Sequence, residues 1–163
     1  MALPYSLTEP AGVALPLVVD SPHSGLVHAE TLPLAAPPEA LLTGWDAYVD
    51  QLFAHAPMVG GTLLCAGFPR WMVDVNRARD DIDPALIDGA MPYAVQPSDK
   101  SGRGMGVLRR LAPPGVPVYA APLSPDMAEY RRPTTIPTTP RCPACWRCTM
   151  RVRARCGTST AIR

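Results

Sequence analysis

The sequence predicts an α/β fold with some parallel strand pairing. Its first 130 residues alternate short, apolar, β-branched segments with a longer segment of helical periodicity, and turns rich in proline and glycine separate them. A chain of 163 residues can build one domain with a substantial core, whereas two domains would be cramped. We therefore expect one α/β domain over residues 1–130, followed by a segment of a different kind.

The first two predicted elements are a strand and a helix. Residues 12–21, "GVALPLVVDS", are short and apolar and predict a buried strand that stops at a Ser-Pro signal. Residues 39–57 repeat apolar side chains at helical spacing and predict one amphipathic helix that ends at Pro57. Asp46 and Asp50 would lie one turn apart on this helix.

Further strands and a helix start are predicted downstream. Residues 60–68 predict a second strand after a Gly-Gly turn, and residues 70–76, "RWMVDVN", a third. A short strand is expected at residues 116–119, and a helix is expected to start at Ser124 with Pro125 in its first turn. Alternation in the third strand places three apolar side chains on one face: Trp71, Val73 and Val75.

Charge divides the chain near residue 130. Residues 1–130 carry seven Lys and Arg against fourteen Asp and Glu, whereas residues 131–163 carry eight Arg and no acid. Prolines break any periodicity in this second part, which also holds four of the five cysteines. Their pattern allows a zinc or iron-sulfur site, and the basic charge allows nucleic-acid binding, but the missing periodicity argues against both.

Targeting signals are absent from the sequence. The N-terminus has neither a basic nor an apolar signal-peptide region, and no run of about 18 apolar residues could span a bilayer. We therefore expect a cytoplasmic protein that binds neither membrane nor nucleic acid, and the sequence leaves its oligomeric state open.

His23, in the turn "DSPHSG" after the first predicted strand, is the first candidate site residue. Open α/β sheets bind ligands where loops converge beyond the carboxyl ends of strands, and imidazole is a common zinc ligand. A loop histidine beside serine and glycine can equally be a solvated turn residue. The turn by itself does not decide between these interpretations.

The segment "FPRWMVDVNRARDDID" combines arginines with carboxylates. Arg70 precedes the third predicted strand, and Asn76 and Arg77 stand at its end. A guanidinium group binds a carboxylate with two hydrogen bonds, so this pattern fits recognition of an acidic small molecule. A surface salt-bridge cluster is the alternative, and the same choice applies to Arg109 and Arg110 in "GVLRR".

Four motifs in the same order resemble one known family. "VVDSPHSG", "WDAYVDQLF", "FPRWMVDVNRARDDID" and "GVLRRLAPPGVPVYAAPLSP" together resemble the N-formylglutamate amidohydrolase (N-formylglutamate deformylase) family over about residues 12–130. The resemblance implies a carboxypeptidase-like (phosphorylase/hydrolase-like) zinc hydrolase fold, incomplete here at its C-terminus. It also implies hydrolysis of N-formyl-L-glutamate to formate and L-glutamate, a step of histidine degradation.

The same resemblance assigns roles to individual residues. It implies that His23 binds Zn²⁺ or another divalent metal and that Asp46 lies in the metal site or beside it. It further implies that Asn76 and Arg77 hold a carboxylate of a small acidic N-acyl amino acid and that Arg70 is catalytic and polarises the scissile carbonyl. A metal-bound water with a pKa near 7 would attack the formyl carbon, and the general acid or base is not assigned.

The tail departs from the family, whose members continue with Tyr-Tyr-x-Pro-Tyr-His and Asp-Cys-His-Ser sequences. Codons can be chosen for residues 156–163, "CGTSTAIR", that encode Arg-Tyr-Ile-Asp-Cys-His-Ser when read from the third base. The same shift restores the other sequence from "PTTIPTTP". We hypothesise that the chain is truncated relative to the family, and that residues after about 131 are translated out of frame, form no ordered structure and leave this chain inactive.

Two other functional classes remain open. A non-catalytic α/β module could bind carboxylates through Asn76 and Arg77 without hydrolysis. Alternatively, the cysteine-rich tail could bind a metal or nucleic acid beside an α/β domain.

Overall fold

The central sheet has three strands in the order β1-β3-β2. The computed structural model describes residues 5–28 and 33–131. Strand β1 (Tyr5–Thr8) runs antiparallel to β3 (Thr62–Ala66), while β2 (Val18–Ser21) runs parallel to β3. A second, two-stranded antiparallel sheet joins β4 (Leu111–Ala112) to β5 (Val116–Pro117). The predicted α/β class and the parallel pairing are thus confirmed.

The connection from β2 to β3 is helical but interrupted. Its parts are α1 (Pro38–Leu41), a 3₁₀ turn (Leu42–Gly44), α2 (Val49–Leu52) and a second 3₁₀ turn (Ala56–Val59). The prediction of one continuous helix over residues 39–57 is therefore wrong.

Two backbone features break the predicted helix. Trp45 adopts an extended conformation after the first 3₁₀ turn, and Tyr48 is left-handed, with a φ of 61°. A left-handed residue cannot continue a right-handed helix, and for a tyrosine this conformation is uncommon. The break turns residues 45–50 toward the end of β2.

Three more short helices follow β3. They are a 3₁₀ turn (Pro84–Leu86), α3 (Asp99–Gly102) and α4 (Pro125–Arg131). Helix α4 begins at the predicted place, because the Ser124 Oγ accepts the backbone N–H of Met127 at 3.3 Å. The strand expected at residues 116–119 is present only as the two residues of β5.

Residues 70–76 form turns rather than the predicted third strand. The N–H of Met72 bonds to the carbonyl of Pro69 at 3.0 Å, and the N–H of Arg77 bonds to the carbonyl of Asp74 at 3.0 Å. These local bonds replace strand pairing, so the strand prediction is wrong. The three apolar side chains predicted on one face are nevertheless buried: Trp71, Val73 and Val75.

The main apolar core lies beyond the sheet, where residues 71–87 pack against residues 107–128. Ile82, Val107, Leu108 and Val118 have no solvent exposure. Burying an aliphatic side chain of this size stabilises the fold by about 1.5–3 kcal/mol. This core holds residues 74–77 and 109 in place beneath the turn that carries His23.

The predictions for the arginine- and cysteine-rich tail concern residues that lie outside the described part of the chain, beyond residue 131. None of the helices in residues 5–28 and 33–131 combines the length and the apolar character that a membrane span requires.

Candidate functional site

The turn after β2 packs tightly against the chain that follows β3. Ser21 and His23 are buried, and the N–H of Val27 bonds to the carbonyl of Gly67 at 2.8 Å. A Cβ at Gly25 would collide with the backbone of Ala66 and Gly67. Only glycine therefore allows the two strand ends to approach this closely.

Residues 45–50 dock onto the same turn through Ser24. The Ser24 hydroxyl donates to the Asp46 carbonyl at 2.8 Å and accepts the N–H of Asp50 at 3.3 Å. The Trp45 indole N–H donates to the Ser24 carbonyl at 2.9 Å, and the N–H of Asp46 bonds to the His23 carbonyl at 3.2 Å. These bonds fix the Asp46 side chain beside the imidazole.

His23 lies between two carboxylates. Its Nδ1 is 3.1 Å from the Asp46 Oδ2, and its Nε2 is 3.0 Å from the Asp74 Oδ1. A neutral imidazole carries one N–H, so it can donate to only one of these oxygens. If the ring donates to Asp74, the Nδ1 lone pair faces the Asp46 carboxylate, an arrangement that is favourable only with a cation or an added proton between them.

Asp74 is the centre of the site and has no solvent exposure. Its Oδ1 also accepts the N–H of Asn76 at 3.1 Å, and its Oδ2 accepts the Nε–H of Arg70 at 2.8 Å. Burial by itself would raise the pKa of this carboxyl. Hydrogen bonds from His23 and Arg70, with the Arg70 charge, more than offset burial and hold the pKa of Asp74 well below its usual range.

Three arginines surround Asp74. Besides Arg70, the Nη2 of Arg109 is 3.6 Å and the Nε of Arg77 is 3.8 Å from the Asp74 Oδ2. The Nη1 of Arg70 also lies 3.7 Å from the Asp46 Oδ1. We call this group the Asp74 cluster; it comprises His23, Asp46, Arg70, Asp74, Arg77 and Arg109.

The structure brings together four of the five residues predicted from the sequence: His23, Asp46, Arg70 and Arg77. The fifth, Asn76, is exposed next to the cluster and contacts Asp74 through its backbone. Sequence reasoning missed the central role of Asp74, since strand alternation placed it opposite the buried face. The available signal was an arginine four residues before it and another three residues after it.

Arg109 was left unresolved by the sequence, as one of two adjacent arginines. The structure separates the pair, because Arg109 lies in the Asp74 cluster whereas the Arg110 Nε donates to the Asp83 Oδ2 at 2.6 Å. Arg109 is 5% exposed, and a Cβ at Gly44 would lie 2.8 Å from its Nη1. Glycine at position 44 thus leaves room for this guanidinium.

Asp20, in β2, is a half-buried residue outside the Asp74 cluster. Its Oδ1 is shielded from solvent and has no hydrogen-bond partner among the residues that the structure describes. Burial raises the pKa of Asp20 to about 6, and the nearby His23 lowers it in part. This carboxyl is therefore a destabilising feature of the sheet when it is ionised.

Two side chains of the described residues could act as donors for a metal ion in the Asp74 cluster. The His23 Nδ1 and the Asp46 Oδ2 are nitrogen and oxygen ligands of the type that zinc accepts. Between residues 5 and 28 and between 33 and 131, no group of three His, Cys, Asp or Glu side chains could hold a metal ion. The described residues therefore fit part of a zinc site and not a complete one.

Comparisons with known proteins identify one family. The family model for N-formylglutamate amidohydrolase matches residues 15–135. The crystal structure of N-formylglutamate amidohydrolase from Ralstonia eutropha JMP134 is similar, with a TM-score of 0.76 and 41% sequence identity. The match covers 80% of this chain and 46% of that chain, so the sequence spans about half the length of this relative. No curated protein matches. By both the family model and the solved structure, this chain belongs to the N-formylglutamate amidohydrolase family.

Proposed function

We propose that this chain contributes the histidine- and arginine-lined part of a hydrolase site that releases formate from N-formyl-L-glutamate. Family membership and the name of the similar solved structure support this proposal. The observation that carries it is the arrangement of three arginines around the buried Asp74, directly beside His23. The cluster has more positive than negative side chains, as binding of an acidic substrate requires.

The arginines at the surface of the cluster are suited to bind the substrate. The side chains of Arg70 and Arg77 are 21% and 17% exposed, so solvent reaches both. We propose that Arg77 and Asn76 bind a substrate carboxylate, because a guanidinium and an amide together offer several N–H donors. Asp74 orients Arg70 through its Nε and leaves the terminal nitrogens of that guanidinium for a substrate oxygen.

We further propose that the complete site holds a divalent metal, Zn²⁺ by family, at His23 Nδ1 and Asp46, within a carboxypeptidase-like fold. In this proposal the Nε2–H of His23 donates to Asp74, which leaves the lone pair on Nδ1 for the metal. Bound zinc would supply a water molecule with a pKa near 7 for attack on the formyl carbon. These two donors leave the proposed site one protein donor short among the described residues.

We assign to Arg70 the stabilisation of the developing oxyanion. Its Nη1 lies 3.7 Å from an Asp46 oxygen, beside the proposed metal position, while its Nε is held by Asp74. Removal of one donor that stabilises an oxyanion lowers kcat by about 10²–10³-fold. We assign no general acid or base.

The test is formate release from N-formyl-L-glutamate with added Zn²⁺. We expect no release above background from the 163-residue chain, because the described residues offer two metal donors. A version whose residues after 131 follow the alternative reading frame should release formate, and Arg70→Met should reduce kcat by about 10²–10³-fold. Arg103→Met, at an exposed arginine remote from these contacts, is the control.

Two outcomes would contradict the proposal. One is a zinc-loaded, frame-restored protein that releases no formate. The other is release by the chain as given that survives His23→Ala.

A non-catalytic carboxylate-binding module is the second candidate. The specific observation that favours it is an arginine cluster that is complete without a third metal donor among the described residues. Binding of L-glutamate by both versions of the protein, with no formate release by either, would support this candidate.

A further inference from the structure

We propose that Arg109 recognises substrate and provides a second carboxylate contact, so that the site selects dicarboxylates over monocarboxylates. This inference rests on the proposed function and extends it, since it names the second carboxylate of the acidic substrate as the group that this arginine binds. The first carboxylate is assigned to Arg77 and Asn76, and the second is assigned to Arg109.

The position of Arg109 is determined by its surroundings. It follows the fully buried Val107 and Leu108, so the backbone is anchored in the core immediately before it. Its guanidinium extends past Gly44 to within 3.6 Å of the Asp74 carboxylate. An arginine held this rigidly loses little side-chain entropy when it binds a ligand.

Arg109 has hydrogen-bonding capacity at its Nε that the described chain does not use. Its Nε is buried without a hydrogen-bond partner there, and the same holds for the Nε of Arg77. The Arg109 Nη2 and the Arg77 Nε lie 3.6 and 3.8 Å from the Asp74 Oδ2, beyond ordinary hydrogen-bond length, and that oxygen already accepts Arg70 at 2.8 Å. Buried charged donors are normally satisfied, so the two Nε nitrogens are the donors that we assign to a bound anion.

The charges of the cluster agree with this assignment. Burial lowers the pKa of the Arg109 guanidinium, the neighbouring Arg70 and Arg77 lower it further, and Asp74 opposes them in part. Three guanidinium groups thus share one fully buried carboxylate, with Asp46 at the edge. A bound carboxylate would reduce the repulsion among the arginines.

Arg110, the next residue in the chain, provides a matched control for Arg109. Its Nε donates to the Asp83 Oδ2 at 2.6 Å, and its side chain is 31% exposed. The charge, length and chain position of the two arginines are nearly the same. Of these two arginines, only Arg109 has a buried nitrogen without a hydrogen-bond partner among the described residues.

The experiment is equilibrium binding to the full 163-residue chain by calorimetry, with glutarate and pentanoate as probes. Both probes have five carbons, and only glutarate has two carboxylates. We expect the wild-type chain to bind glutarate at least tenfold more tightly than pentanoate. Loss of a charge-assisted hydrogen bond of about 1.5–3 kcal/mol corresponds to about a 10–100-fold loss of glutarate affinity in Arg109→Met.

Two further variants separate recognition from simple loss of charge or fold. Gly44→Ala keeps every charge but places a Cβ against the Arg109 Nη1, so it should also weaken glutarate binding while sparing pentanoate. Arg110→Met should leave the affinity for both probes unchanged. Near-ultraviolet circular dichroism of each variant reports whether the fold is retained.

Each outcome bears on the proposal. Equal weakening of both probes by Arg109→Met, or unchanged glutarate binding in both Arg109→Met and Gly44→Ala, would overturn the role of Arg109. If the wild-type chain binds neither probe, the carboxylate site of the proposed function fails together with this inference. If glutarate selectivity depends on Arg109 while the frame-restored protein releases no formate, the dicarboxylate site stands and the hydrolase assignment fails.

Discussion

Two buried aspartate clusters lie close together in the sequence, and they differ in how completely they are satisfied. In the second, which we call the Asp83 cluster, Asp81 accepts the N–H and hydroxyl of Ser98, and Asp83 accepts the N–H of Ala85 and the Nε–H of Arg110. Its members are Asp81, Asp83, Ser98 and Arg110. The Asp74 cluster instead holds three arginines around one buried carboxylate.

The difference teaches how to separate a structural polar cluster from a binding site. In the Asp83 cluster, caps and turns of the chain itself supply partners for both carboxylates. In the Asp74 cluster, two buried guanidinium nitrogens have none within the described chain. Positively charged donors without acceptors, next to a histidine, indicate a ligand-binding site. A cluster in which every donor has an acceptor indicates a structural role.

The largest effect should follow Asp74→Asn. The substitution keeps the shape of the side chain but leaves the arginines without their buried counter-charge. Breaking a buried ion pair from one side costs about 3–5 kcal/mol, a large part of the stability of a small domain. Urea denaturation followed by tryptophan fluorescence measures this loss in the free energy of unfolding.

Asp88→Asn, at an exposed position, is the control for Asp74→Asn. It should change the free energy of unfolding by less than about 0.5 kcal/mol. A similarly small change for Asp74→Asn would show that the arginines do not depend on this carboxylate, and the comparison between the two clusters would lose its basis.

An intermediate effect is expected at Asp20, which belongs to neither cluster. Its pKa is raised from 3.8 to about 6 in the folded chain, so folding takes up a proton between these values. Stability should therefore fall as the pH rises from about 4 to 6, by about 1–3 kcal/mol for this group. Asp74, with a lowered pKa, acts in the opposite direction and loses its contribution only as the pH falls below about 4.

Asp20→Asn isolates this contribution. The variant should be more stable than the wild-type chain at pH 7 and should show a flatter stability profile between pH 4 and 6 in urea denaturation. A profile with the same slope as that of the wild-type chain would exclude Asp20 as its source.

The smallest effect should come from Arg110→Met in the Asp83 cluster. Asp83 would keep its bond to the N–H of Ala85 and lose the guanidinium, at a cost of about 1–2 kcal/mol. The free energy of unfolding should decrease while glutarate affinity stays constant. A change in glutarate affinity would show that the two clusters are coupled. The Asp83 cluster would then contribute to binding as well as to stability.

Local sequence signals predicted the strand ends but not the loops that complete the site. The apolar segment before His23 and the parallel pairing of β2 with β3 follow from short β-branched runs separated by a helical connection. His23 could therefore be placed at a strand end. The arginine and carboxylate pattern indicated Arg70 and Arg77, the resemblance added Asp46, and these side chains lie together.

The remaining features depend on tertiary contacts that periodicity does not encode. Apolar spacing over residues 39–57 favoured a helix, yet hydrogen bonds from Trp45 and Asp50 to Ser24 hold the chain in the broken conformation. Asp74 alternates with buried apolar residues, so a strand would place it on the opposite face. Its charged partners come from two distant segments, at His23 and Arg109, and from Arg70 four residues earlier.

The central position of β3 has a consequence for how the chain folds during synthesis. Both β1 and β2 pair with β3 and not with each other, so neither can form its sheet contacts before residues 62–66 have been made. Tyr5 must then find Ala66 across about sixty intervening residues. Pairings between such distant segments close large loops and slow folding. The nascent chain therefore leaves the ribosome with its first two strands unpaired, a period in which a chaperone would have most to protect.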